Sequence, residues 1–388
     1  MRSGRGNDRG RVWRGTKKGR NRMLENTRFR LDNGLGLTVA YFGGSVSEGA
    51  GASAYEKCWA AKTTAWLRER YPRCPIRHVQ AAIGGTDSTL GVYRCERDVC
   101  AQKPDLVFFE FAVNDSGLDF RTAVKNAEGC FRKLRMACPA VEIVTVYTLT
   151  KHMADLMARG GVWPAKIAHG AVSEYYGVPG LEIGEALMRR VLAEGSPNAD
   201  EDDWKRYTTD TVHPNDAGYE ICAAVVRERL AEWLRTAGRI HELRAYDLPS
   251  PLVPEAESHM RARIVDCSEA QADGRWTLRE DSLCGRYPRF LECKEPGGEL
   301  SFRFEGRRLD LYWMMARDSG DALCSLDGGP EVSVRSWDVY CKSFNRANAA
   351  NVARDLPEGS HVLKLRLAGT HAGESEGTAL RIGAFLVL

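Results

Sequence analysis

Four short runs rich in β-branched and aromatic residues, 37–42 (LTVAYF), 76–81 (IRHVQA), 106–113 (LVFFEFAV) and 141–147 (VEIVTVY), punctuate the first 240 residues and are separated by segments of a different period. In the intervening segments 54–70, 122–138 and 216–234 apolar residues return near every 3.6 positions, as in Ala123, Ala127, Phe131 and Leu134, or Ile221, Val225, Leu230 and Trp233. Strands alternating with amphipathic helices predict an α/β domain, with a parallel sheet covered by helices. The pattern changes after Ala237. Pro249, Pro251 and Pro254 follow, a stretch in which neither a helix nor a central strand persists. Beyond it, 300–304 (LSFRF), 309–313 (LDLYW), 331–334, 361–367 (HVLKLRL) and 380–388 (LRIGAFLVL) alternate between Gly, Asp and Pro turns, which predicts an all-β sandwich or jelly roll. A chain of 388 residues also exceeds the size at which one core usually stops growing. The expected division is a basic leader and lead-in over 1–34, an α/β domain over 35–240, a Pro-containing linker over 241–257 and a β-sandwich over 258–388.

Composition narrows the function classes. Hydrophobic residues at 43% and charged residues at 28% match an ordinary folded chain rather than a disordered one. No stretch approaches eighteen consecutive apolar residues, so no spanning helix and no membrane partner are expected. Residues 1–22 hold nine Arg or Lys against the single acid Asp8, a local charge of +8 within a net +3, so the remainder carries −5. That balance argues against a specific nucleic-acid partner. The leader lacks the apolar stretch of a secretory signal, from which a cytoplasmic location follows as an expectation, with Met23 as an alternative start. The twelve cysteines include no CxxC pair and no zinc spacing, so reduced, buried thiols and no metal site are expected.

Four turns fall where strands of the parallel sheet should end. The first strand leads into Gly43-Gly44-Ser45-Val46-Ser47-Glu48-Gly49, a serine on a tight turn at the sheet edge where ligands gather. The turn lacks the lysine of a phosphate-binding loop and the GxGxxG spacing of a dinucleotide site. Ile83-Gly84-Gly85-Thr86 follows the second strand and Val113-Asn114-Asp115 the third; a glycine N–H and an asparagine amide are suitable donors to an oxyanion. Far downstream, Asp210-Thr211-Val212-His213-Pro214 precedes the closing helix. An aspartate three residues before a histidine can accept one ring N–H and leave the other nitrogen to take a proton from a hydroxyl.

The order of these four blocks resembles the SGNH hydrolase superfamily, the GDSL-type esterases, over about residues 35–234. The resemblance implies a three-layer, flavodoxin-like domain with Ser45 as nucleophile, His213 as general base and acid, and Asp210 as its orienting carboxylate. It implies an oxyanion hole made by the Ser45 and Gly85 N–H groups and the Asn114 amide, with no cofactor. Gly85 fits the family's N-x-x-I-x-G pattern, with Gln80 where Asn is common, and the family's GDS triplet reads Gly43-Gly44-Ser45 here. Gly44 is expected to border the substrate, and Trp163, in the loop after the fourth strand, either borders the pocket as well or packs in the core, with packing the favoured reading. Glu48, Asp87 and Asp115 are expected to hydrogen-bond the loops. In the sandwich, Tyr312, Trp313, Trp337 and Tyr340 are either core residues or a sugar-stacking surface, with core expected. The two-domain layout is similar to bacterial esterases that deacylate carbohydrates, which implies hydrolysis of small acyl esters, acetyl foremost, on a small-molecule or oligosaccharide substrate. A lipase or thioesterase of the same superfamily, and a glycan-binding protein with a degenerate site, remain as alternatives.

Overall fold

The computed structural model describes residues 23–195, 199–280 and 284–388. The basic leader expected over 1–22 lies outside the described residues. Strands β1 (Leu37–Gly43), β2 (Ile76–Gln80), β3 (Leu106–Glu110), β4 (Glu142–Val146) and β5 (Gly180–Leu181) form one sheet in the order β2-β1-β3-β4-β5. Every neighbouring pair is parallel. This is the flavodoxin-like order, in which the chain leaves β1 toward β2 and returns on the other side to β3. Loops after β1 and β3 therefore diverge, and the crevice between them is where a ligand fits.

The helices are α1 (Glu25–Asn33), α2 (Ser45–Glu48), α3 (Trp59–Arg70), α4 (Ser88–Asp98), α5 (Phe120–Ala137), α6 (Lys151–Ala158), α7 (Pro164–Tyr175), α8 (Ile183–Glu194), α9 (Glu201–Lys205) and α10 (Asp216–Thr236). They cover both sheet faces. Tyr41, Phe108 and Val144 pack with Trp59 and Trp233 on one side; Phe42, Phe109 and Ile143 pack with Phe131 and Leu134 on the other. All residues of β3 and β4 are buried, as a doubly covered parallel strand requires. Helix α4 lies outside the segments in which the sequence pattern predicts helices. It is started by Asp87, whose carboxylate accepts the Thr89 and Leu90 N–H groups, and Gly91 lets it settle on Phe111, where a Cβ would stand 2.9 Å from the ring.

The C-terminal region is built from β6 (Arg263–Asp266), β7 (Gln271–Ala272), β8 (Trp276–Arg279), β9 (Phe290–Cys293), β10 (Glu299–Glu305), β11 (Leu309–Met315), β12 (Asp321–Leu326), β13 (Val332–Arg335), β14 (Arg346–Ala353), β15 (Ser360–Leu367) and β16 (Leu380–Val387). Two antiparallel sheets, β13-β12-β15-β10-β7 and β14-β11-β16-β9-β8, face each other, with β6 on β16. Strands β11 and β16 are buried throughout because each serves two cores. Leu309, Leu311, Trp313 and Phe385 point into the sandwich, while Tyr312, Met314, Ala384 and Leu386 share a cluster with Phe42, Tyr93 and Phe131 of the α/β domain. The domains are thus joined by apolar packing. The proline-bearing connector adds to the joint: Glu128 of α5 accepts the Leu252 and Val253 N–H groups, and Arg132 donates to the Pro249 carbonyl. No helix among the described residues is long and apolar enough to cross a membrane. Ten of the twelve cysteines are buried.

Candidate active site

Strand β1 ends at Gly43 and Gly44, and Ser45 opens α2. The glycines are needed for close approach: a Cβ at Gly43 would lie 2.5 Å from the Glu110 carbonyl, and one at Gly44 would lie 2.2 Å from Asn114 Oδ1. Gly44 is consequently buried behind the Asn114 amide rather than bordering open space.

His213 arrives from the other end of the domain. Asp210 Oδ1 accepts the Val212 and His213 N–H groups at 3.1 and 2.8 Å, and the turn puts Thr211 at φ 66°, a strained position for a β-branched residue. Asp210 Oδ2 is then 2.7 Å from His213 Nδ1, and His213 Nε2 is 2.8 Å from Ser45 Oγ. Burial opposes ionisation of Asp210, but the backbone and ring N–H bonds from His213 outweigh it and hold the carboxyl below its usual range. Gly51 makes room for the loop, since a Cβ there would stand 2.4 Å from the Pro214 carbonyl. Hydroxyl, imidazole and carboxylate form one hydrogen-bonded row. Such a row passes a proton from hydroxyl to ring while the carboxylate retains the opposite N–H.

The two remaining turns flank the serine. The Gly84 N–H is committed to Glu48 Oε2 at 2.8 Å, whereas Gly85, at φ 71°, has no atom within 4 Å of its Cβ position and lines an open cleft. Asn114 lines the same cleft, of about 450 Å³, which continues past Thr86 and Thr89 to Arg308, Asn348 and Asn351 of the sandwich. Asp115 ties the two turns together: Oδ1 accepts the Ser88 N–H at 2.7 Å and Oδ2 lies 2.7 Å from His169 Nε2, both side chains being fully buried. Gln80 supports the first turn, donating to the Ser47 carbonyl and accepting the Ala82 N–H.

Trp163 takes the packing one of its two readings, not the pocket border. It is 4% exposed, sits in a cluster with Leu149, Met153 and Trp204, and donates its indole N–H to the Ala112 carbonyl at 2.8 Å. An indole whose one polar atom is satisfied inside the core packs the Asn114 loop from beneath and does not border the cleft. Glu110 is the group the motifs do not reveal. Its carboxyl, wholly buried under the serine turn, accepts Ser47 Oγ at 2.9 Å and Thr148 Oγ1 at 2.7 Å, and burial pushes it up to about 7 against those bonds. Its one sequence signal is an acid interrupting an apolar strand. Among the described residues no three His, Cys, Asp or Glu gather as a metal site.

Residues 41–221 match the GDSL-like lipase/acylhydrolase family. They form a GDSL-type acylhydrolase domain. A solved two-domain esterase active on acetylated mannans, co-crystallised with mannopentaose, aligns at a TM-score of 0.78 and 20% identity, covering 94% of this chain and 95% of its own. A second structure of a two-domain esterase active on acetylated mannans gives 0.77 at 20% identity over the same shares. At that identity the likeness is one of fold, and it extends from the acylhydrolase domain through the sandwich. No curated protein matches the chain.

Proposed function

We propose that this chain is a serine esterase that removes small acyl groups, acetyl foremost, from a carbohydrate. The observation that carries the reading is the row Ser45 Oγ, His213 Nε2 and Nδ1, Asp210 Oδ2, with contacts of 2.8 and 2.7 Å. In this reading Ser45 attacks the ester carbonyl as His213 takes its proton. The Ser45 and Gly85 N–H groups and the Asn114 amide hold the oxyanion, and His213 returns the proton to the leaving alcohol. Water, giving its proton to His213, then attacks the acyl-enzyme, and His213 passes that proton to Ser45 Oγ as the carboxylic acid leaves.

The sugar assignment is supported by the cleft beside Gly85 and Asn114, where Thr86, Thr89, Asn348 and Arg308 set polar side chains among Leu90, Leu118 and Leu386, a mixed lining that suits a polyol better than a long acyl chain. It is supported also by the fold shared with an esterase active on acetylated mannans. The test is hydrolysis of 4-nitrophenyl acetate, butyrate and octanoate, with acetate release from acetylated oligosaccharides, by wild type and Ser45→Ala. Ser45-dependent turnover favouring acetate, with release from the sugars, is expected. Octanoate preference would replace this reading with a lipase, and no Ser45-dependent turnover would replace it with a glycan-binding protein.

A further inference from the structure

Arg286 belongs to the sandwich, in the turn before β9, yet its guanidinium reaches α2 beside the proposed nucleophile. Nη1 bonds Glu48 Oε1 and Nη2 lies 3.3 Å from Oε2, a forked ion pair between residues 238 positions apart. The same Oε2 accepts the Gly84 N–H at 2.8 Å. The carboxylate is packed closely on the turn: a Cβ at Gly84 would stand 2.5 Å from Oε2 and 3.4 Å from Ser45 Cβ. Both ends of the turn are tied elsewhere, by the Ile83 N–H on the Gly43 carbonyl at 3.0 Å and by the Ser88 N–H on Asp115, and to each other by Thr86 Oγ1 on the Ile83 carbonyl. Its middle is tied by Glu48. Gly85 itself stands in open space, so the direction of its N–H follows from how the preceding residue is held. Glu48 and Arg286 are each about 30% exposed, so without its partner the Glu48 side chain would be drawn toward water.

We propose that Arg286 is a positioning residue for the oxyanion donor Gly85: the sandwich, through Arg286, holds Glu48, and Glu48 holds Gly84. The inference rests on the serine-esterase reading of Ser45 and Gly85. It makes turnover depend on a residue of the second domain even for an ester too small to touch that domain.

The test uses the full-length chain and 4-nitrophenyl acetate. Arg286→Ala is expected to lower kcat about tenfold with KM within twofold, part of the roughly 10²–10³-fold lost when an oxyanion donor is removed outright. Arg286→Lys, which keeps the charge without the fork, recovers part of it. Added guanidinium ion restores Arg286→Ala and leaves wild type unchanged. Glu48→Ala loses at least as much as Arg286→Ala, and the double variant loses no more than Glu48→Ala alone, because both act along one path. Should Arg286→Ala fail to fold in a thermal melt, Glu48→Ala decides with the same kcat loss. Unchanged kcat in the folded variants, or losses that multiply in the double variant, overturn the proposal. So does a raised KM with kcat kept, which would make Arg286 a substrate contact. If wild-type turnover survives Ser45→Ala, the esterase reading itself fails, whatever Arg286 does.

Discussion

In the acylhydrolase domain Asp210 Oδ2 lies 2.7 Å from His213 Nδ1, and in the sandwich Asp327 Oδ2 lies 2.7 Å from His361 Nδ1. Each aspartate also accepts a backbone N–H at 2.8 Å, from His213 and Val362 respectively. The pairs differ at the far ring nitrogen. His213 Nε2 meets the Ser45 hydroxyl, whereas His361 Nε2 meets the Pro357 carbonyl at 2.9 Å. A carbonyl only accepts, so satisfying both partners of His361 requires a proton on each nitrogen; the Asp327 carboxylate and that carbonyl raise its pKa. A hydroxyl donates as well as accepts, so His213 satisfies both contacts as a neutral ring ready to take a proton. An Asp–His pair therefore becomes a candidate base through the partner of its second nitrogen, not through the carboxylate.

The largest expected contrast is His213→Ala against His361→Ala. The first should lower kcat/KM on 4-nitrophenyl acetate by about 10³-fold or more and the second by less than twofold; a loss of similar size in His361→Ala would break the comparison. Asp210→Asn comes next, with a drop of about 10²–10⁴-fold from loss of the tautomer lock. Asp327→Asn should leave the same rate unchanged, since its histidine faces no hydroxyl.

Stability separates the two regions less strongly. Glu110, under the serine turn, titrates near 7 in the fold against an ordinary 4.5. Its protonated form is the one the fold favours, so this contribution is complete below pH 4.5 and is lost as pH rises through 7. Denaturant unfolding of wild type against Glu110→Gln should show wild type losing up to about 3 kcal/mol relative to the variant between pH 5 and pH 8. A difference that does not change with pH would mean that Glu110 is not the titrating group. The smallest effect belongs to the sandwich pair, whose Asp327 carboxylate is exposed. With the pKa of His361 raised, its contribution is complete below about 6.5 and fades as pH rises through the folded value, so Asp327→Asn should cost a little melting temperature at pH 5.5 and less at pH 9.

Legibility followed locality. Strands β1, β3 and β4 stood out because burial on both faces makes them largely apolar, and β11 and β16 for the same reason, whereas the edge strand β2, buried only at Ile76, was marked by Ile76 and Val79 alone. Strand β14, with the sequence RANAANVA, did not, because it is an edge strand with no buried residue and lines the cleft with Ala347, Asn348 and Ala349. Helix α4 was not picked out because it is short, and burial runs unbroken from Leu90 to Cys95, where it meets both α5 and the second domain. Trp163 was ambiguous because an aromatic after a strand reads alike whether it turns to the cleft or beneath it, and its bond to the Ala112 carbonyl settles the direction.

What the sequence by itself determined are the features made within a few residues: the Gly43-Gly44-Ser45 turn, the Asp210–His213 contact closed by its own loop, and the pleat of doubly buried strands. These depend on backbone sterics and short-range hydrogen bonds. Only the tertiary structure decided that Ser45 and His213, 168 residues apart, meet at 2.8 Å, that Glu110 lies dry beneath them, and that Arg286 reaches Glu48. Those contacts arise where the strand order reverses between β1 and β3 and where Tyr312, Met314 and Leu386 dock the sandwich on the helices. Both are products of packing between distant segments, which no local pattern encodes.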